Sequence, residues 1–391
     1  MRSMRSMAVL GAATVTLALA AGCGAGGTGG GGDEAGEISI GFFSPQTGAG
    51  APDGQSALAG ARLAVAEIND SDGIDGRKVR LVEYDDGSDP KQGATIATKL
   101  ATQDKVVAAV SGSYSPQTLA AAAIFQRNKL PLVSAYAVNP GIPKTGDHIF
   151  QQDFDGVVQG RAGAQVLSDT YKAKKPAIIS IDNDFGNALV QGFTERAGTL
   201  GMTVVSTDKN QFGEKNFEPV IRRAVDSGAD AVYLVQYVGE GKQFLQAWDK
   251  LDVNLPLVST EGIDSAGFID SIGSLADDMV FTTNLNRDST DEATLTFLKN
   301  YAAEYDFSAD MVAASSHDAV MLLAEAMRSN GTTAADIQKG LAQIKDFTGA
   351  TGTIKGFTSD GQVVKPVQVQ KFQGGKVVSV GVVDDVAIIT P

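Results

Sequence analysis

From residue 37 the chain alternates short apolar runs with longer stretches whose apolar residues recur at helical spacing. Glu37–Phe43, Arg80–Tyr84, Val106–Val110 and Leu130–Ser134 read as strands. Between them, Gln55–Asp70 places Leu58, Ala61, Leu63, Ala64, Val65 and Ile68 on one helical face. Pro90–Gln103 and Pro116–Arg127 are predicted helices, each with proline near its first turn. A repeated strand–helix unit implies a mostly parallel sheet covered by helices on both faces.

The pattern then restarts. Ala177–Ile181, Thr203–Thr207, Ala231–Val235, Leu255–Ser259 and Met279–Thr283 are predicted strands. Asn187–Leu200, Glu218–Ser227 and Gly241–Lys250 are predicted helices between them. The pentapeptide LPLVS stands at 130–134 and again at 255–259, at the equivalent step of the two series. Helices follow at Asp291–Tyr305, Ala314–Ser329 and Ala334–Ala342. The chain closes with a strand at Gly352–Phe357 and a hairpin of Val363–Phe372 and Val377–Val382 around Gln373-Gly374-Gly375-Lys376. One large sheet is the alternative, but about 355 residues exceed a comfortable single core. The expected fold is α/β, with two doubly wound parallel-sheet lobes and a ligand cleft between them.

The first 36 residues do not belong to that body. Residues 1–7 carry Arg2 and Arg5, and residues 8–21 are apolar and uncharged. This is the n-region and h-region of a signal peptide. Fourteen apolar residues fall short of the roughly 20 that a membrane-spanning helix needs. The stretch Leu19-Ala20-Ala21-Gly22-Cys23 resembles a bacterial lipoprotein signal, with 1–22 removed and Cys23 lipidated. It departs from the usual pattern in having Leu19 one place early. An ordinary secretory signal with an incidental cysteine is the alternative. Residues 23–36 then form a Gly-rich tether, with no preceding strand and no following Lys-Ser/Thr to make a phosphate loop.

Composition removes several function classes. Lys+Arg is 32 against Asp+Glu 46, a net charge of −14, with no basic run to hold a nucleic acid. One Cys excludes an intrachain disulfide and a cysteine metal site. Two His, His148 and His317, are too few for a His-rich metal centre. A lone Trp248 argues against a sugar-stacking surface. The chain has no HExxH, GxSxG or P-loop, so an enzyme is not expected, and neither is a cofactor or metal.

Several segments resemble the periplasmic leucine/isoleucine/valine-binding proteins, the type I solute-binding family of ABC importers. The specific part is 68–92: Ile68-Asn69, Gly73-Ile74-Asp75-Gly76-Arg77-Lys78, Leu81-Val82-Glu83-Tyr84-Asp85-Asp86 and Asp89-Pro90-Lys91-Gln92. Thr47-Gly48, Asn139-Pro140, Glu261-Gly262 and His317-Asp318-Ala319-Val320 are further landmarks. The resemblance implies two lobes joined by three crossovers, near Asp155, Asn284–Arg287 and Asp360. Lobe 1 would comprise 37–155 plus 286–360, and lobe 2 156–285 plus 361–391. It also implies an extracytoplasmic, lipid-anchored, monomeric protein that captures an amino acid by hinge closure and delivers it to a membrane permease. A ligand sensor of the same fold, or a binder of an amide or other small organic acid, is the alternative. The family's disulfide is absent, since Ser88 and Tyr114 stand at its two places.

An α-amino acid needs acceptors for its ammonium and donors for its carboxylate. By similarity to the family, Ser115 would bind the carboxylate and Ala137 would offer its backbone to the amino group. Val138 stands where the family often has Thr. Glu261 would pair with the ammonium, Tyr237 would close over the head group, and Phe185 would pack on the ligand. Turn chemistry for Ser115, core packing for Phe185 and Tyr237, and a surface position for Glu261 are the competing readings. In the side-chain subsite, Ala51-Pro52-Asp53-Gly54 replaces an aromatic wall and Tyr114 replaces a small residue. Asp53 and Arg287 are either solvated or, if one faces the cleft, a sign of a polar ligand side chain.

Overall fold

The structure, a computed structural model, describes residues 36–391. The signal peptide, Cys23 and the tether up to residue 35 lie outside the described residues. The first sheet is built from β1 (Ile38–Ser44), β2 (Val79–Asp85), β3 (Ala108–Ser111), β4 (Leu132–Ser134) and β5 (Ile149–Gln151), in the order β2-β1-β3-β4-β5 and parallel throughout. Helices α1 (Ala51–Asp70), α2 (Pro90–Thr102) and α3 (Ser115–Arg127) connect its strands. Side chains alternate across each strand. Ile40 and Phe42 therefore face a core with α1, whereas Phe43 joins Leu132 and Ile149 in a core with α2 and α3.

The second series comprises α4 (Gly156–Tyr171), β6 (Pro176–Ile181), α5 (Asp184–Thr199), β7 (Ser206–Asn210), α6 (Glu218–Asp226), β8 (Ala231–Val235), α7 (Val238–Lys250), β9 (Leu257–Ser259), α8 (Ala266–Ile272) and β10 (Val280–Thr283). The chain then returns to the first lobe as α9 (Glu292–Glu304), α10 (Met311–Asn330) and α11 (Ala334–Gln343), of which α10 packs along α1. A small antiparallel sheet follows: β11 (Lys345–Gly349), β12 (Gly352–Phe357) and β13 (Val363–Val364). The chain ends in β14 (Val367–Gln373), β15 (Lys376–Val383) and α12 (Val386–Ile389). The second sheet has the order β15-β14-β10-β9-β8-β6-β7, parallel except for the β10–β14 and β14–β15 pairings. The two LPLVS segments form β4 and β9, which occupy equivalent places beside β3 and β8.

Three passages join the sheets: Gln152–Asp155, the segment from Asn284 to α9, and Lys365-Pro366. The last lies beyond Asp360, because Gln362 still pairs with Gln151 of β5 before the chain leaves the first lobe. Several elements escape the periodicity. Helix α4 falls in a stretch to which the periodicity assigns no element, and Thr203–Thr207 is displaced to Ser206–Asn210. Helix α1 starts at Ala51 rather than Gln55, with Pro52 in its first turn.

Helix α4 is disguised by glycine. It crosses α5 closely enough that a Cβ on Gly160 would sit 2.1 Å from the Leu189 carbonyl oxygen, and one on Gly192 would sit 2.0 Å from the Val157 carbonyl oxygen. A helix rich in glycine gives a weak apolar periodicity and a poor helical propensity. Packing against α5 overrides both. Gly192→Ala is therefore expected to lose about 2 kcal/mol despite alanine's better propensity, since backbone must move to admit it. Urea unfolding checks this: a midpoint equal to or above wild type would show that the helices can part without loss.

Candidate functional site

Most of the residues that face the cleft follow the carboxyl ends of parallel strands, where open α/β sheets place their ligands. Ser115 is the first residue of α3, after β3, and Tyr114 caps that helix in extended conformation. The first-turn N–H groups of such a helix have no intrahelical acceptors. Ser115 Oγ accepts from Asn139 N at 3.2 Å, which ties α3 to the loop after β4. In that loop Tyr136 donates its hydroxyl to Gly112 O at 2.8 Å. Ala137 O accepts from Gln151 Nε2 at 2.5 Å, and Val138 O from Gly156 N at 2.7 Å. One lone pair of each carbonyl is thus already committed to the scaffold.

From the second lobe, Phe185 enters at the start of α5 and stacks on Tyr237 with centroids 4.8 Å apart. Tyr237 meets Tyr114 of the first lobe at 5.2 Å, and Tyr114 meets Tyr136 edge-on at 6.1 Å. This aromatic chain bridges the lobes and closes the cleft. A second bridge is Asp310, which caps α10 through Ala313 N at 2.9 Å. It also accepts from Ser56 Oγ at 2.5 Å and, across the cleft, from Ala266 N at 3.1 Å.

Glu261 opens a short 3₁₀ turn after β9, capped by Thr260. Gly262 is required there, since a Cβ would meet the Gln236 carbonyl oxygen at 2.4 Å and the Phe185 ring at 3.0 Å. Glu261 is 3% exposed. Neither carboxylate oxygen has a hydrogen-bond partner. Burial drives its carboxyl well above the ordinary range and nearby Asp153 adds to the shift; the Gln159 amide eases it without forming a hydrogen bond. The surface reading of Glu261 is thereby overturned.

Ser115, Ala137, Val138, Phe185, Tyr237, Glu261, Tyr114 and Asp53 all line one cavity. Tyr136, Gly262, Asp264, Ser265, Met311 and Val312 complete it. Asp53 lies in the first turn of α1, 9% exposed, and accepts from the Tyr114 hydroxyl at 2.7 Å. Burial pushes its carboxyl up to about 7. Arg287 is neither solvated nor in the cavity wall. It is half-buried, pairs with Asp264 and donates to Gln370 Oε1 at 3.0 Å, so it braces the second crossover against β14. Among the described residues, no group of three His, Cys, Asp or Glu is placed to hold a metal, and no helix is long and apolar enough to cross a membrane.

Behind Glu261 runs a buried polar network. Asp153 stands at the first crossover, and Lys365, fully buried at the third, donates to Thr351 Oγ1 at 2.7 Å. Thr351 in turn donates through N at 2.8 Å and Oγ1 at 2.6 Å to Asp318, which also accepts from Ala350 N at 2.7 Å. His317 bridges Asp318 at 3.4 Å and Glu67 at 2.9 Å. Burial works against its imidazolium, but those two carboxylates outweigh burial and raise it to about 9.

The sequence model of the periplasmic binding protein family matches residues 37–376. The chain belongs to that family. An amino acid binding protein of Pseudomonas aeruginosa is 30% identical over 198 residues, which cover 50% of this chain and 53% of that protein. The leucine-specific-binding protein of Salmonella typhimurium is 27% identical over 313 residues, 76% of this chain and 84% of that one. Among solved structures, the branched-chain amino acid transporter substrate-binding protein LivJ of Streptococcus pneumoniae, in complex with isoleucine, superposes with a TM-score of 0.82. It is 28% identical, and the match covers 89% of this chain and 99% of that one. In this periplasmic binding protein, Met311 and Val312 reach the cavity only because the second crossover returns the chain to the first lobe. No local motif in the sequence marks them.

Proposed function

We propose that this chain is the extracytoplasmic binding component of an ABC importer and captures a free α-amino acid by closing its lobes around it. The observation that carries the reading is Glu261, a buried carboxylate with both oxygens unpartnered in the same cavity as the start of α3. A lone buried carboxylate is costly unless something pairs with it. An α-ammonium supplies that partner, and the carboxylate of the same ligand suits the free N–H groups and Ser115 hydroxyl at the helix start. The family of binding proteins and the relatives named for amino acids agree with this chemistry. The lipid anchor at Cys23, the permease partner and a monomeric state belong to the same proposal.

Closure follows from where the contacts lie. Ser115 and Ala137 belong to the first lobe, Glu261 and Tyr237 to the second. A ligand held first on α3 gains Glu261 and Tyr237 only when the lobes meet, and that difference in contacts shifts the equilibrium toward the closed form. The test is thermal unfolding of protein stripped of bound ligand by partial unfolding and dialysis, against single amino acids. A ligand at about 100 times its dissociation constant is expected to add roughly 2.7 kcal/mol. The reading falls if no amino acid shifts the melt while an amide or aromatic acid does.

A further inference from the structure

We propose that the ligand's side chain is cationic, and that Asp53 receives its terminal ammonium or guanidinium beside the rings of Tyr114 and Tyr237. This rests on the amino-acid reading above and names the class within it.

Three observations converge on Asp53. First, it is a second buried carboxylate in a cavity where Glu261 already serves the head group. Its one hydrogen bond comes from the neutral Tyr114 hydroxyl, and the charge that acts on it is another carboxylate, Asp310. Among the described residues no lysine or arginine lines the cavity, and Arg287 is taken by Asp264. Asp53 therefore lacks a counter-charge, which a zwitterion with an aliphatic side chain does not bring. Aliphatic methyl groups packed against it would strip its remaining water and return nothing.

Second, Asp53, Tyr114 and Tyr237 also line an adjoining recess, with about 890 Å³ of empty space. Glu261 and Ser115 line the inner cavity alone. Asp53 thus marks the outer end of the cavity, where a side chain extending from the head group arrives. The recess beyond carries Glu214 and Glu240 with a single cation, Lys215, so its charge also favours a positive group.

Third, the walls of the passage are aromatic. Tyr114 and Tyr237 are in tilted contact, with centroids 5.2 Å apart, beside Asp53, and Phe212, 57% exposed, meets Tyr237 edge-on at 6.1 Å. Ring faces attract ammonium and guanidinium groups. A carboxylate flanked by rings selects a cation over an uncharged group of the same length.

Calorimetric titration of the stripped protein with L-lysine, L-arginine, L-norleucine and L-leucine tests the inference. Norleucine matches the lysine side chain without its charge. Lysine or arginine is expected to bind about 100-fold more tightly than norleucine. Asp53→Asn is expected to remove that advantage, so that lysine and norleucine bind the variant within a few-fold of each other. Leucine or norleucine binding as tightly as the cationic acids overturns the inference and leaves the amino-acid reading intact. Lysine binding unaltered by Asp53→Asn overturns it too. If no amino acid binds, the amino-acid reading falls and this inference with it.

Discussion

Glu261→Gln lowers the affinity for an α-amino acid by about 1,000-fold and leaves the ligand-free protein at least as stable as wild type. The first half follows from loss of the charge that faces the ammonium. Truncating one side of a buried, hydrogen-bonded charge pair costs about 2–5 kcal/mol, and each 1.4 kcal/mol is roughly tenfold. The second half separates a ligand contact from a structural anchor. Within the protein both Glu261 oxygens lack hydrogen-bond partners. Asp153 and Asp264 crowd it, and Lys365 alone opposes them. Burial holds the carboxyl well above its ordinary range, so a neutral amide of the same shape relieves the site rather than breaking it. Calorimetry and a thermal melt decide together. Unchanged affinity, or a melting point several degrees lower without ligand, would show that Glu261 serves the fold instead.

Asp318→Ala has the opposite character: it is expected to cost about 3–5 kcal/mol of stability, as removal of one member of a buried charged network does. Asp318 accepts from Ala350 N, Thr351 N and Thr351 Oγ1 and faces His317. Its loss strands these donors and leaves Lys365 and His317 without their shared counter-charge. Burial alone would raise the Asp318 carboxyl, but His317, Thr351 and Lys365 hold it below the usual value of 3.8. That contribution is present above about pH 4 and is lost as the pH falls through the lowered value. His317, raised to about 9, contributes stability that is full below about 6.5 and is lost as the pH rises through 9. Subtracting the mutant's stability profile from that of wild type should leave a plateau between roughly pH 4 and 6.5 with losses on both sides. A flat difference would mean that the network carries no net charge energy.

What the sequence reveals and what it hides have separate physical causes. The strand Ala231–Val235 is legible because a parallel strand buried on both faces must be a continuous apolar run. Ser115 and Glu261 stand just after such runs, but it is the family resemblance, not the runs, that singles them out. Helix α4 is hidden because the residues that let it pack, Gly160 and Gly192's partner Val157, carry no periodic signal of their own. Arg287 looks solvated because its partner Asp264 lies 23 positions upstream, and only the fold brings them together. Asp153, Asp318 and Lys365 are equally opaque: each is a charged residue that reads as surface until three separate passages of the chain converge.

The order of strands in the second sheet has a bearing on how this chain is made. Strand β10 pairs with β14 and β14 with β15, yet about 80 residues of first-lobe helices and small sheet lie between β10 and β14. While the chain is being synthesised or passed across a membrane, Val280–Thr283 stands as a bare edge until residues 367–373 arrive. Open edges recruit other strands, and long-range pairings form slowly. The last 25 residues (367–391) are therefore the closing seam of the second lobe, and a ribosome or translocase that stalls just short of them releases a sticky intermediate rather than a slightly shorter binding protein.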